Sequence, residues 1–161
     1  MGRKSIRSGI LFALCIVIPL GVGAVGSIFT LSAIPTWYAT LQKPFINPPN
    51  WVFAPVWTAL YILMGISLWL ILKNGIRTFL ERQGAILFSL QLGVNLLWSL
   101  VFFGMHSVTC GLIIIVILCA LIAATIYTFN KVSNHAAWLL VPYFLWSCFA
   151  AVLNAMIFML N

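Results

Sequence analysis

Three groups of residues combine large flat rings with neutral polar or small side chains at helical spacing. Trp57, Tyr61, Met64 and Gly65 recur so as to share one helix face, as do Gln91, Asn95, Trp98 and Phe102 at i, i+4, i+7 and i+11. Tyr143, Trp146, Ala150 and Asn154 form a third such set. Such faces suit a flat, hydrophobic ligand with a few polar edges. The competing reading is a packed bundle core in which Gln91, Asn95 and Asn154 bond across helices. For any single residue the packed core is favoured; for the three faces together, the pocket is.

Acid–base machinery is not visible. Glu81 is the single acidic residue, and it falls in a connecting segment. No ionisable side chain sits near the centre of an apolar stretch, where ion-coupled carriers place acids or histidines. His106 and His135 lie in or beside connections and read as solvated loop residues, with neither the spacing of a metal pair nor the depth of a haem ligand. No nucleophile–base–acid set is legible. Cys15, Cys110, Cys119 and Cys148 all fall in apolar segments without a CxxC pair, so buried, unreactive thiols are the main reading and disulfide or metal use the lesser one.

The elements that must position these rings follow from composition. Of 161 residues, 64% are apolar and 6% charged. A soluble domain carries roughly 25% charged residues, so this chain requires the bilayer as its main solvent. The net charge of +7 comes without a basic stripe or a nucleic-acid motif, which excludes that class of partner. Five stretches reach spanning length, at about residues 8–31, 51–72, 85–104, 109–129 and 136–160, within one domain covering 1–161. The expected fold is an all-α integral membrane bundle of five transmembrane helices. The first stretch is preceded by basic residues, as in a signal peptide. It runs on to spanning length without an A-x-A site and reads as the first helix of the mature protein. Gly23 and Ser27, four residues apart on that helix, allow close approach of another backbone or of a flat ligand.

Residues 32–50 form the longest connection, and Pro35, Pro44, Pro48 and Pro49 exclude a regular helix there. With Trp37, Tyr38 and Phe45 the segment reads either as an ordered lid or wall, or as an interfacial stretch resting on lipid headgroups. Five crossings place Arg3, Lys4, Arg7, Lys73, Arg77, Arg82 and Lys131 on the N-terminal side and only Lys43 on the other. By the positive-inside rule the N-terminus is cytoplasmic, and the Pro-rich loop and the C-terminus lie on the opposite side.

The run Trp37-Tyr38-x-x-Leu41-x-Lys43-Pro44-x-x-x-Pro48-Pro49-x-Trp51-x-x-x-Pro55-Val56-Trp57-x-x-Leu60-Tyr61-x-x-Met64-Gly65 resembles the first loop and second helix of the translocator protein (tryptophan-rich sensory protein) family. Gln91-x-x-x-Asn95-x-x-Trp98 with Phe102-Phe103-Gly104 resembles that family's third helix. Pro142-Tyr143-x-x-Trp146-x-x-Phe149-Ala150 with Leu153-Asn154 resembles its fifth. The resemblance implies a five-helix bundle, often a homodimer, with the first loop closing over a pocket between the helices. It implies as ligands porphyrins such as protoporphyrin IX, haem, sterols and synthetic drugs of the benzodiazepine type, with no obligatory cofactor and no metal site. Matched by motif, Trp57, Tyr61, Asn95, Trp98, Trp146 and Ala150 would line the pocket, with Ser27 and Trp51 at its edges. Trp57 and Trp146 match two tryptophans associated in the family with light-dependent porphyrin breakdown, which is photochemistry rather than acid–base catalysis.

Animal members carry a sterol motif with Tyr and Arg after the Leu-Asn pair. Here Ala155-Met156-Ile157-Phe158 follows Leu153-Asn154 instead, and the uncharged tail points to a bacterial-type member of the plasma membrane. Leu121, Tyr127 and Lys131 fit a loose sterol pattern that also arises by chance. The implied function is a membrane binding protein for porphyrins and similar lipophiles. Passive transport of porphyrins or sterols is the alternative, and porphyrin degradation with turnover is a third.

Overall fold

The computed structural model describes residues 2–161, with side chains described from Ser8 onward. The side chains of Arg3, Lys4 and Arg7, which contribute to the charge asymmetry, lie outside the described residues.

Helix α1 spans Gly2–Ala33, and a single short turn, α2, covers Trp37–Thr40. After a 3-10 turn at Asn50–Val52 comes α3, Phe53–Leu72, and then α4, Phe79–Ser99, which widens into a π turn at Leu100–Gly104. Helices α5, Val108–Val132, and α6, Asn134–Leu160, complete the chain. Five segments are long and apolar enough to cross a membrane: Ser8–Ala33, Asn50–Leu72, Phe79–Gly104, Val108–Val132 and Asn134–Leu160. The helices form a closed ring in which α1 packs on α3, α3 on α6, α6 on α5, α5 on α4, and α4 back on α1. The chain is an all-helical membrane bundle.

Two boundaries differ from the sequence-based expectation. The third spanning helix begins at Phe79, six residues before the expected start, because Thr78 and Glu81 form a capping box. Glu81 Oε2 accepts from the backbone N–H of Thr78 at 2.8 Å and of Arg77 at 2.6 Å, while its own N–H donates to Thr78 Oγ1. The single acid is therefore not a loop residue. It satisfies donors at a helix N-terminus, where negative charge is also favoured by the helix dipole. The connection after α5 is one residue long: Ser133 ends α5, and its hydroxyl accepts from Ala136 N–H to cap α6. His135 consequently lies in the first turn of α6, exposed, rather than in a loop.

Small residues set the closest approaches. A Cβ at Gly65 would lie 2.6 Å from the backbone oxygen of Cys15 and 2.8 Å from Ile16 Cα, so α1 and α3 touch backbone to backbone there. Gly84 receives the ring of Phe129, and Gly23 receives the ring of Tyr61. The close approach expected on α1 at Gly23 is thus made by a side chain, and the backbone contact is made at Gly65.

Residues 34–49 are folded over one end of the bundle. Tyr38 is buried and its hydroxyl donates to Asn47 Oδ1 at 2.7 Å. Trp37 packs edge-on against Phe102 and stacks on His106 at 4.7 Å with an interplanar angle of 14°. His106 sits at φ 55, in the left-handed region; it is an exposed connection residue, as expected, and its ring also stacks on the loop. Lys43 Nζ lies over the Tyr38 ring and donates to the carbonyls of Ala39 and Leu41. At the far end of the chain, Asn161 Oδ1 accepts from Gln42 N–H at 3.0 Å and its Nδ2 donates to Gln42 O at 3.1 Å. The segment is an ordered wall, tied to the bundle at Trp37 and Tyr38 and to the C-terminal end at Gln42, while Phe45 stays 95% exposed.

Candidate functional site

Beneath this wall lies a cavity of about 440 Å³, bounded by α1, α3, α6 and the π turn. That volume is in the range of small-molecule sites, roughly 300–1,000 Å³. The loop-side ends of three helices supply its rings. From α3 come Phe53, Trp57 and Tyr61; from the end of α4, Trp98, Phe102 and Phe103; from α6, Trp146 and Phe149. Tyr38 contributes from the loop, and burial pushes its phenol up to about 12.

The rings support each other. Trp57 stacks on Tyr61 at 5.8 Å, lies 6.2 Å from Trp98, and meets Tyr143 edge-on at 6.2 Å. Trp98 stacks on Phe102 at 5.6 Å, and Trp146 contacts Phe53 and Phe149 at 6.4 and 5.4 Å. The π turn carries both Phe102 and Phe103, which are buried and meet edge-on at 4.8 Å. On an undisturbed α-helix, adjacent residues point about 100° apart. Helix-three spacing therefore pointed to Phe102 and gave no reason to include Phe103.

The floor is a hydrogen-bonded chain across three helices. Tyr61 hydroxyl donates to Asn95 Oδ1 at 2.7 Å, and Asn95 Nδ2 donates to Tyr143 hydroxyl at 3.1 Å. This corrects the expected role of Asn95. It is 1% exposed and does not line the cavity; it orients Tyr61, which does. Trp51 is also displaced from its expected place, being 74% exposed and outside the lining. The 3-10 turn at Asn50–Val52 rotates it outward and leaves Asn50 and Phe53 facing the cavity. Ser27, Trp57, Tyr61, Trp98, Trp146 and Ala150 do lie on the cavity wall.

Sequence reasoning missed much of the α1 wall, Leu20, Ala24 and Leu31 with Thr30, and Ile34 just beyond it, because the apolar ones are no different from their lipid-facing neighbours and Thr30 bonds only its own helix. No spacing signal marks which side of such a helix faces inward.

Among the described residues, no Asp, Glu, Lys, Arg or His lines the cavity. Three of its hydroxyls already give their protons to their own helix, Ser27 to Ala24 O, Thr30 to Gly26 O and Thr58 to Ala54 O, and Asn50, Asn154 and the indoles of Trp57, Trp98 and Trp146 add amide and N–H groups to the lining. The lone pairs of those hydroxyl oxygens remain for a ligand donor. The arrangement can enclose a flat apolar molecule and accept hydrogen bonds from its edge. It offers no positioned base or nucleophile.

The cysteines depart from the expectation of uniformly buried thiols. Cys15 is buried, Cys110 is exposed, and Cys119 and Cys148 are half-buried at the seam of α5 and α6. The loose sterol pattern also lies on the outside of the bundle, where Tyr127 is exposed with Lys131 Nζ over its ring.

Residues 15–160 match the model of the TspO/MBR family. The chain is 47% identical over 149 residues to the tryptophan-rich protein TspO of Chlorobaculum tepidum, covering 92% of this chain and 94% of that one. It is 43% identical over 144 residues to the tryptophan-rich protein TspO of Archaeoglobus fulgidus, with coverage of 88% and 91%. With the translocator protein of Bos taurus it shares 36% identity over 135 residues, covering 82% and 79%. A five-helix membrane bundle with an aromatic cavity under its first loop, matched along nearly its whole length by these relatives, belongs to the TspO/MBR family.

Proposed function

We propose that this protein binds porphyrins, protoporphyrin IX and haem among them, and related flat lipophiles in the cavity beneath the first loop. The observation that carries the reading is the cavity of about 440 Å³ walled by stacked indole and phenol rings, with no charged lining residue among the described residues. A conjugated macrocycle gains dispersion and π contacts from such walls. Carboxylate substituents, which are costly to bury without a cation, would remain at the mouth, where Lys43 is the nearby basic side chain over Tyr38. Trp57 and Trp146 both face the cavity, so an excited porphyrin would generate reactive oxygen within reach of two oxidisable indoles. Light-dependent breakdown of the ligand is therefore part of the proposal. Lys73, Arg77, Arg82 and Lys131 fall at one end of the five crossings, which supports a cytoplasmic N-terminus in the plasma membrane. A homodimer, implied by the family resemblance, belongs to the same proposal.

The test is quenching of tryptophan fluorescence by protoporphyrin IX, first in the dark and then under light. Saturable quenching, weakened in Trp146→Phe, with product formation on illumination, is the expected result. Linear quenching equal to that of empty micelles would reduce the aromatic faces to bundle core. Passive transfer across the membrane is the second reading, favoured by the absence of a charged barrier in the cavity lining and by the name of the relatives called translocator protein. Flux between vesicles above a protein-free control would select it.

A further inference from the structure

Cys119 and Cys148 stand apart from the cavity and from every role assigned so far. They sit near the middle of α5 and α6, the pair of helices joined by the single residue Ser133. The Cys148 thiol points at Cys119 Sγ across a distance of 4.0 Å, and both are free thiols. Each is half-buried at the α5–α6 seam, and neither lines the cavity. Their neighbours on the outward side are apolar: Val116, three residues before Cys119, and Leu145 and Val152, three before and four after Cys148, are exposed. Mid-span position beside exposed apolar side chains puts this edge on the lipid side of two spanning helices.

We propose that Cys119 and Cys148 are a redox modification site, closing to a disulfide that staples α5 to α6 when the bilayer contains hydroperoxides. Sulfurs already in van der Waals contact need to approach by about 2 Å to reach the disulfide length, a movement within reach of side-chain rotation. In the first step one thiol sulfur attacks the distal peroxide oxygen. The O–O bond breaks, a sulfenic acid forms, and the thiol proton leaves on the alkoxide as an alcohol. In the second step the neighbouring thiol attacks the sulfenic sulfur, the S–O bond breaks, the S–S bond forms, and the thiol proton leaves with hydroxide as water. Two thiols are oxidised and one hydroperoxide is reduced. The nearness of the partner thiol directs the sulfenic acid to a disulfide rather than to the irreversible sulfinic acid.

The staple bears on the cavity through α6. Cys148 lies on the same stretch of helix as Trp146, Phe149 and Ala150, which face the cavity, so cross-linking holds that stretch against α5. The chemistry does not depend on what the cavity binds, so failure of porphyrin binding would leave it intact.

Cys15 and Cys110 supply internal controls. Cys15 is buried and Cys110 is exposed, and among the described residues neither has a thiol partner. The experiment treats full-length protein in phosphatidylcholine vesicles with the lipid-soluble oxidant cumene hydroperoxide, alkylates the remaining thiols, and maps the peptides by mass spectrometry without reduction. The expected result is loss of alkylation at Cys119 and Cys148 together, a Cys119–Cys148 linked peptide as their major product, and recovery of both thiols with dithiothreitol. Cys119→Ser should remove that linked peptide and leave Cys148 alkylatable after reduction. The proposal is overturned if both thiols alkylate as fully after oxidant as before, if they proceed separately to sulfinic acids, or if the linkages found join different chains.

Discussion

The two halves of the bundle use the same five helices to opposite ends. In the half away from the loop, Met64, Ile71, Phe88, Ile122, Phe129 and Leu140 are fully or almost fully buried. The rings of Phe88 and Phe129 lie parallel, with centroids 6.1 Å apart and an interplanar angle of 4°. Ser67 ties α3 to α6 by donating to Ala136 O at 2.7 Å, and Gly65 lets α1 rest on α3. In the half under the loop, rings of Trp57, Trp98, Phe102 and Trp146 brace one another around a space. Water does not drive helices together inside a bilayer, so helices close only where side chains interlock or small residues permit it. Below the Tyr61–Asn95–Tyr143 chain Gly65 and Gly84 let the neighbouring helix or ring close in; above it the mutually braced indoles hold the helices apart. The cavity is a consequence of ring size on a closed ring of helices.

Truncating each half gives the sharpest break. Phe88→Ala should lower unfolding stability by about 3–5 kcal/mol, the usual cost of emptying a packed aromatic site, with little change in ligand affinity. Trp57→Ala should do the reverse, because its ring already borders empty space. Thermal unfolding in detergent beside ligand titration reads both, and equal destabilisation by the two would erase the distinction between the halves.

Gly65→Val places a side chain against the backbone of α1. It should cost about 1–3 kcal/mol by overpacking. Gly93, whose Cβ would meet nothing, should accept alanine without a measurable shift in the same unfolding assay.

Asn95→Leu probes the boundary between the halves. It strands the hydroxyls of Tyr61 and Tyr143, for a loss of about 1–3 kcal/mol. It should also weaken ligand binding, although Asn95 does not line the cavity, because Tyr61 loses the bond that holds its ring in place. Unchanged affinity would mean that stacking on Trp57 alone positions Tyr61.

The smallest effect is expected at the wall. Tyr38→Phe removes the bond to Asn47, worth about 1 kcal/mol, and should quicken ligand release. Tyr38 keeps its proton up to about 12, against an ordinary value of 10. A raised value stabilises the folded, protonated form; that contribution is complete below pH 10 and is lost as pH rises towards 12. Ligand release from wild type should therefore accelerate over that window, and Tyr38→Phe should not show the acceleration.

Each of the three faces read from spacing turns out to be divided by depth. Trp57 and Tyr61 border the cavity, while Met64 and Gly65 on the same face are core. Trp98 and Phe102 border it, while Gln91 and Asn95 do not. Trp146, Ala150 and Asn154 border it, while Tyr143 is wholly buried behind Trp57. The pocket and the packed core, weighed as rivals, are both present in series along the same helices. Periodicity reports which face of a helix turns inward, and it carries nothing about how far apart the facing helices stand at a given depth.

By itself the amino-acid sequence determined the five crossings, the inward faces of three helices and the membership of a family, because apolar length, helical period and a specific proline–tryptophan run are all local properties. Only the tertiary structure decided that Trp51 turns away, that Asn95 works from behind the wall, that the α1 wall joins the cavity, and that Cys119 meets Cys148. Each depends on which helices are neighbours and on how the chain winds at a turn, and in a uniformly apolar chain the pattern of residues does not distinguish a side chain facing a neighbour from one facing lipid.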